Sequence, residues 1–182
     1  MIKLDAKALR HAPALTEQAE QTKHLKRNPI YIVVDNVLDT YNVGAIFRLA
    51  DAAAVRKVFL CGGTEKPPNH RIKKASVNTT EWVHWEHRES AIEVIKELRS
   101  QIPDIQIIAV EQSNKSKPYD KIKYLFPIVL IVGHETDGVS KEALEASDFI
   151  AEIPMWGVNM SLNVMISLGI MLYKVMEHKQ NI

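Results

Sequence analysis

Three short stretches of this chain hold residue types that could seat a ligand or steady a charge: NVGAIFRLADAAAV from Asn42, VGHETDGVSKEAL from Val132, and IPMWGVNMSLNV from Ile153. Gly44 and Arg48 are four residues apart, so on a helix they share a face, and the glycine would leave open space beside the arginine. Gly133 and Gly138 carry no Cβ, which lets backbone come close to a ligand. Several chemistries lack their residues. No G-x-G-x-x-G or Walker A pattern occurs, so dinucleotide and P-loop binding have little support. There is no H-x-x-x-H or C-x-x-C metal spacing and no G-x-S-x-G nucleophile elbow. His70, His84, His87 and His134 are scattered and read as surface or internally satisfied side chains; only His134 stands out, for its neighbour Glu135.

Positioning these stretches requires a frame of strands. Residues 30–35, IYIVVD, form a continuous β-branched run that suits a buried parallel strand. Further strands are predicted at 57–61, 105–110, 127–132 and 149–153, with a Thr/Trp-rich one near 81–85. A helix capped by Asn42 runs to about residue 54, with Val43, Ile46, Phe47 and Ala50 on its inner face. Others are predicted at 88–100, with Ile92, Ile95 and Leu98 inward, and at 140–146. Pro154 ends the last strand, Gly157 permits a turn, and Ser161 stands at the N-cap of a C-terminal helix. That helix is apolar nearly all round, apart from Asn163, Ser167 and Lys174 on one side, so it is expected to be buried on more than one face, one of them against another subunit. Residues 62–69 and the lysine-rich 113–123 read as loops. Strands alternating with helices predict an α/β domain over residues 29–182, with a mostly parallel sheet and helices on both faces. Residues 1–28 form a basic, partly helical extension.

Apolar content of 46% and charged content of 25% suit a globular domain with one sizeable core. The single cysteine, Cys61, excludes an internal disulfide framework, ends an apolar run as a buried thiol would, and points to the cytoplasm. The N-terminus shows no secretory apolar region, and no run is long enough to span a bilayer. Net charge is +1, so any nucleic-acid surface must be local. The basic candidates are residues 23–27, 71–74 and 115–123; the first reads first as a solvated arm and the last as a solvated connection.

Taken in order, the three stretches resemble the signature motifs of the SpoU/TrmH class of RNA 2′-O-ribose methyltransferases, in the SPOUT (α/β-knot) superfamily. The resemblance covers nearly the whole chain. It implies a C-terminal deep trefoil knot, S-adenosyl-L-methionine bound in the knotted loops, no metal, and a homodimer with the C-terminal helix in its interface. It implies methyl transfer to a ribose 2′-hydroxyl of tRNA or rRNA; size and architecture favour tRNA. By motif position Gly133, Ile153, Met155, Ser161 and Leu162 would hold the cofactor. Asn42, Arg48, Glu135, Ser161 and Asn163 match the catalytic polar positions. An arginine stays protonated in proteins. Arg48 is therefore read as a phosphate clamp and a stabiliser of charge on the 2′-oxygen, rather than as the general base. Asn42 either serves that site or only caps its helix. Glu135 either holds loop N–H groups or Arg48 itself, and Asn163 either orients Glu135 or closes the helix start. Met165, Ile166 and Met171 are bulkier than the small residues usual in this class, which puts the interface packing in question. Two rivals remain: an RNA-binding relative without turnover, and an unrelated α/β enzyme acting on a small molecule.

Overall fold

The computed structural model describes residues 25–180, so most of the predicted N-terminal extension lies outside the described residues. Seven parallel strands form one sheet: β1 (Asn28–Asp35), β2 (Val55–Cys61), β3 (Trp85–Arg88), β4 (Gln106–Val110), β5 (Lys117–Pro118), β6 (Ile128–Gly133) and β7 (Phe149–Glu152). Their order across the sheet is β3-β2-β1-β6-β4-β7-β5. The helices are α1 (Thr40–Ala52), α2 (His70–Ser76), α3 (Ala91–Gln101), α4 (Lys141–Glu145) and α5 (Val164–Gln180).

Strand alternation divides the core into two layers, as expected of a sheet covered on both faces. Ile32 and Val34 of β1 pack with Ile46 and Phe47 of α1 and Leu172 of α5. Tyr31 and Val33 pack with Val94 and Leu98 of α3 and Ala143 of α4. The predicted strands 30–35, 57–61, 105–110, 127–132 and 149–153 are all present to within two residues at each end. Cys61 is fully buried at the end of β2. Burial, and then the Asp35 charge, push its thiol up to about 12, which makes it a structural side chain.

Several expectations are corrected. The strand near 81–85 begins only at Trp85, because residues Thr79–Glu81 form a 3-10 turn. The loop at 113–123 contains the short edge strand β5 and a 3-10 turn at Tyr119–Lys121. Helix α3 starts after Ser90, whose hydroxyl accepts from Glu93 N–H, so Val94 rather than Ile92 is buried. Helix α1 is capped by Asp39, which accepts from Tyr41 N–H at 2.8 Å, and Asn42 sits inside its first turn. Helix α5 begins at Val164; Asn163, not Ser161, caps it by accepting from Met165 N–H at 2.9 Å.

Helix α2 was not foreseen. It is short and largely polar, and Asn69 caps it by accepting from Arg71 and Ile72 N–H. Gly44 explains its position. The space beside this glycine is not open to Arg48, as expected, but filled by α2: an added Cβ would meet Ala75 Cβ at 2.5 Å and Ile72 O at 2.8 Å. Gly44→Ala is therefore expected to lower stability by about 1–3 kcal/mol by pushing α2 off α1. Chaotrope unfolding checks this, and an unchanged midpoint would contradict the packing argument.

Arg27, the last cation of the predicted basic arm, is engaged indoors. Its guanidinium donates to Val55 O at 3.2 Å and Trp82 O at 2.5 Å, tying the entry of β1 to the neighbouring strand.

Candidate active site

In parallel α/β sheets a crevice opens at the carboxyl ends of adjacent strands whose following helices leave to opposite faces. Here β1 and β6 are such neighbours, since α1 packs in one layer and α4 in the other. A cavity of about 550 Å³ lies beside this point, over the ends of β4, β6 and β7.

The loop after β6 folds back on itself. His134 and Gly138 exchange backbone hydrogen bonds of 2.9 and 3.0 Å. This turn explains both glycines. A Cβ on Gly133 would run into the backbone of Gly138 and Val139, and Gly138 has a φ of +72°. Close approach is thus made first by the chain's own loop rather than by a ligand, which corrects the expectation. Glu111, just past β4, accepts from Val139 N–H at 3.1 Å, and Asp35 accepts from Ser140 N–H at 2.9 Å. Gln112 donates to Met160 O at 2.7 Å, fastening the loop after β7.

The three sequence stretches are joined in a chain of hydrogen bonds from Glu135 through Asn42 to Asn163. The Glu135 carboxylate accepts from Leu38 N–H at 3.2 Å, Asp39 N–H at 3.1 Å and Asn42 Nδ2 at 3.0 Å. Asn42 is buried, and its Oδ1 accepts from Asn163 Nδ2 at 3.0 Å. Of the alternatives open for these residues, Glu135 holds loop N–H groups, Asn42 bridges, and Asn163 both closes its helix and touches Asn42. Burial alone would raise the Glu135 carboxyl. The hydrogen bonds from Asn42 and from the backbone N–H groups outweigh it and hold the group below the ordinary carboxylate range. A depressed folded value means the stabilisation is complete above the unfolded value of about 4.3 and is lost as pH falls through the folded one. Amide exchange at Leu38 and Asp39 is expected to stay protected down to about pH 4 and to rise below it; loss of protection already near pH 6 would contradict this.

All five residues expected to hold a cofactor, Gly133, Ile153, Met155, Ser161 and Leu162, line the cavity, as do Glu135 and Asn163. Asn42 joins through its two hydrogen bonds. Arg48 does not line it. This side chain is exposed on α1, one turn beyond Gly44. Glu111 and Gln112 were missed; the only signal was polar residues directly after a buried strand. His134 is engaged locally, its Nδ1 accepting from Thr136 and Asp137 N–H at 3.1 Å each. Among the described residues no group of three or more His, Cys, Asp or Glu side chains could hold a metal, and no helix is long and apolar enough to cross a membrane.

The chain is similar to known RNA-methylating enzymes. The chain is 31% identical over 157 residues to a tRNA (guanosine(18)-2′-O)-methyltransferase of Aquifex aeolicus, covering 85% of this chain and 72% of the relative. It is 26% identical over 155 residues to the 23S rRNA (guanosine-2′-O-)-methyltransferase RlmB of Pseudomonas aeruginosa, covering 83% and 60%. The structure of the Aquifex aeolicus TrmH/SpoU tRNA modifying enzyme superposes with a TM-score of 0.79 at 27% identity, over 91% of this chain and 82% of that one. An AdoMet-bound rRNA methyltransferase of Sinorhizobium meliloti gives 0.76 at 27% identity, over 93% and 60%. The model of the SpoU rRNA methylase family matches residues 29–173, and the chain belongs to that family.

Proposed function

We propose that this protein transfers a methyl group from S-adenosylmethionine to a ribose 2′-hydroxyl of tRNA, as a homodimer in the cytoplasm. The observation that carries the reading is the convergence of Asn42, Glu135 and Asn163, from three distant stretches, at the rim of one cavity.

The cavity suits the cofactor. Its volume of about 550 Å³ falls within the range of small-molecule sites. Glu111, Glu135 and Asp137 among its lining residues complement a ligand carrying a sulfonium and an ammonium. Ile153, Met155 and Leu162 offer apolar contact and backbone polar groups to an adenine. When bound, S-adenosylmethionine supplies an electrophilic methyl carbon on a good leaving group. The protein's part is then to hold the 2′-hydroxyl in line and to favour loss of its proton. The new C–O bond forms as the C–S bond breaks, and the hydroxyl proton passes to water or a substrate phosphate oxygen. Arg48 clamps the nucleotide phosphate and stabilises charge on the 2′-oxygen.

Because Arg48 lies off the cavity of its own chain, the complete site takes this residue from a second copy. Large apolar side chains are exposed around α5 and the loop before it, among them Trp156 at 90%, Met160 at 82% and Tyr173 at 55%. Large apolar side chains left exposed in this way favour a protein interface there. The deep trefoil knot belongs to the same reading, supported by β7 lying between β4 and β5 while α5 returns to pack on α1. tRNA is favoured over rRNA because the tRNA-modifying relatives reach 29–31% identity against 26–28% for those acting on 23S rRNA. The single buried thiol suits a reducing compartment.

The test is transfer of tritium from labelled cofactor into tRNA and rRNA, with mapping of the modified ribose. Label at one 2′-O position of tRNA is expected. Cofactor binding without any label in RNA would overturn the reading in favour of an RNA-binding relative.

A further inference from the structure

The loop after β2 stands at the same carboxyl edge of the sheet as the cavity. It is tied there by Gly63 N–H donating to Asn36 Oδ1 at 2.9 Å and by Thr64 Oγ1 accepting from Val37 N–H at 3.0 Å. It leads into a second cavity, of about 470 Å³, between the Pro67–Pro68 turn, helix α2 and Trp85. The proline rings and the indole are apolar walls. Thr80 lies at the buried floor, while Lys73 and Glu81 stand exposed at the rim. Asn69 is occupied in capping α2. Among the described residues neither Lys73 nor Glu81 has an ion-pair partner. Arg71 and Lys74 add positive charge to the exposed side of α2. None of these residues takes part in the site already described.

We propose that this second cavity is a nucleoside subsite for the RNA substrate, seating one unstacked base between the prolines and Trp85, with its phosphate on Lys73 and its N–H donors on Glu81. The chemistry is that of single-stranded RNA recognition. Unstacked bases pack on aromatic side chains and are read on their hydrogen-bonding edges, while cations hold the backbone. A carboxylate accepts only, so Glu81 reads a base through an N–H group on its edge. The inference rests on RNA being the substrate.

The full-length protein is tested with an in vitro transcribed tRNA carrying 4-thiouridine, alongside rim variants. Photo-crosslinking is expected to place an adduct in the peptide spanning residues 67–85. Lys73→Ala is expected to weaken tRNA binding several-fold and to reduce the slope of log affinity against log salt by about 0.7. Glu81→Ala gives the decisive sign. On a purely electrostatic surface, removing a negative charge tightens RNA binding; at a base-reading subsite it weakens it, here by about fivefold. Tighter binding by Glu81→Ala, or adducts confined to other peptides while tritium transfer proceeds, would overturn the subsite and leave the methyltransferase reading intact. No tritium transfer and no adduct anywhere would overturn both. Calorimetric affinity for S-adenosylhomocysteine is expected to be unchanged in both variants, which checks that they fold.

Discussion

Replacing Arg48 by Ala is expected to cut methyl transfer to tRNA by about 10²–10³-fold, the usual loss when one group stabilising a developing charge is removed. Affinity for S-adenosylhomocysteine is expected to stay within about twofold, because Arg48 acts on the RNA nucleotide rather than on the cofactor. Arg48→Lys keeps the charge but not the planar fork that grips a phosphate at two points, so it should recover only part of the rate. Folding offers no rival explanation, since the side chain is exposed on α1. Single-turnover rates with saturating cofactor check this; a normal rate in Arg48→Ala would remove the residue from the site. Mixing experiments then examine the second copy. An Arg48→Ala chain combined with a chain defective in the cavity should regain activity if Arg48 serves its neighbour.

Gly133→Ala supplies that defective chain, and its own effect is expected to be as large. The added methyl would occupy the place of the Gly138 and Val139 backbone. No side-chain rotation relieves a clash with main chain, so the 134–138 turn must lift away. Glu135 and the cavity wall move with it, and displacements of about 1 Å can cost 10²-fold where positioning is the whole of catalysis. Calorimetry with S-adenosylhomocysteine is expected to show affinity lowered by about tenfold or more, a loss of about 1.4 kcal/mol, while circular dichroism still reports a folded domain. Unchanged affinity would mean that this loop does not shape the cofactor site.

Much of this was legible before any coordinates. Runs such as IYIVVD and PIVLIV are buried on both faces of a parallel sheet, and such strands are written as unbroken β-branched stretches. The cavity-lining residues from Gly133 to Leu162 were found through motif resemblance, not through periodicity. What escaped was whatever depended on a distant partner. Helix α2 has too few apolar residues to announce itself, and it exists because Asn69 caps it and Gly44 makes room for it. Asp39 and Asn42, and likewise Ser161 and Asn163, are all competent caps, and local sequence does not say which of each pair is drawn into a contact far along the chain. Glu111 and Gln112 have no spacing that marks them; their importance lies in the loops they fasten.

The bonds linking Glu135, Asn42 and Asn163 have a direction. An ionised carboxylate cannot donate, so Asn42 must turn its amide nitrogen towards Glu135 and its oxygen away. Asn163 must then offer its own nitrogen to that oxygen, which leaves its carbonyl to receive the Met165 N–H in the first turn of α5. Two amide dipoles are thereby aligned head to tail, each polarising the next, with a single negative charge as terminus. An aspartate at position 42 would set two anions face to face, and one at 163 would leave nothing to donate. The polarity of this relay makes both asparagines irreplaceable by their nearly isosteric acids, though neither carries a charge.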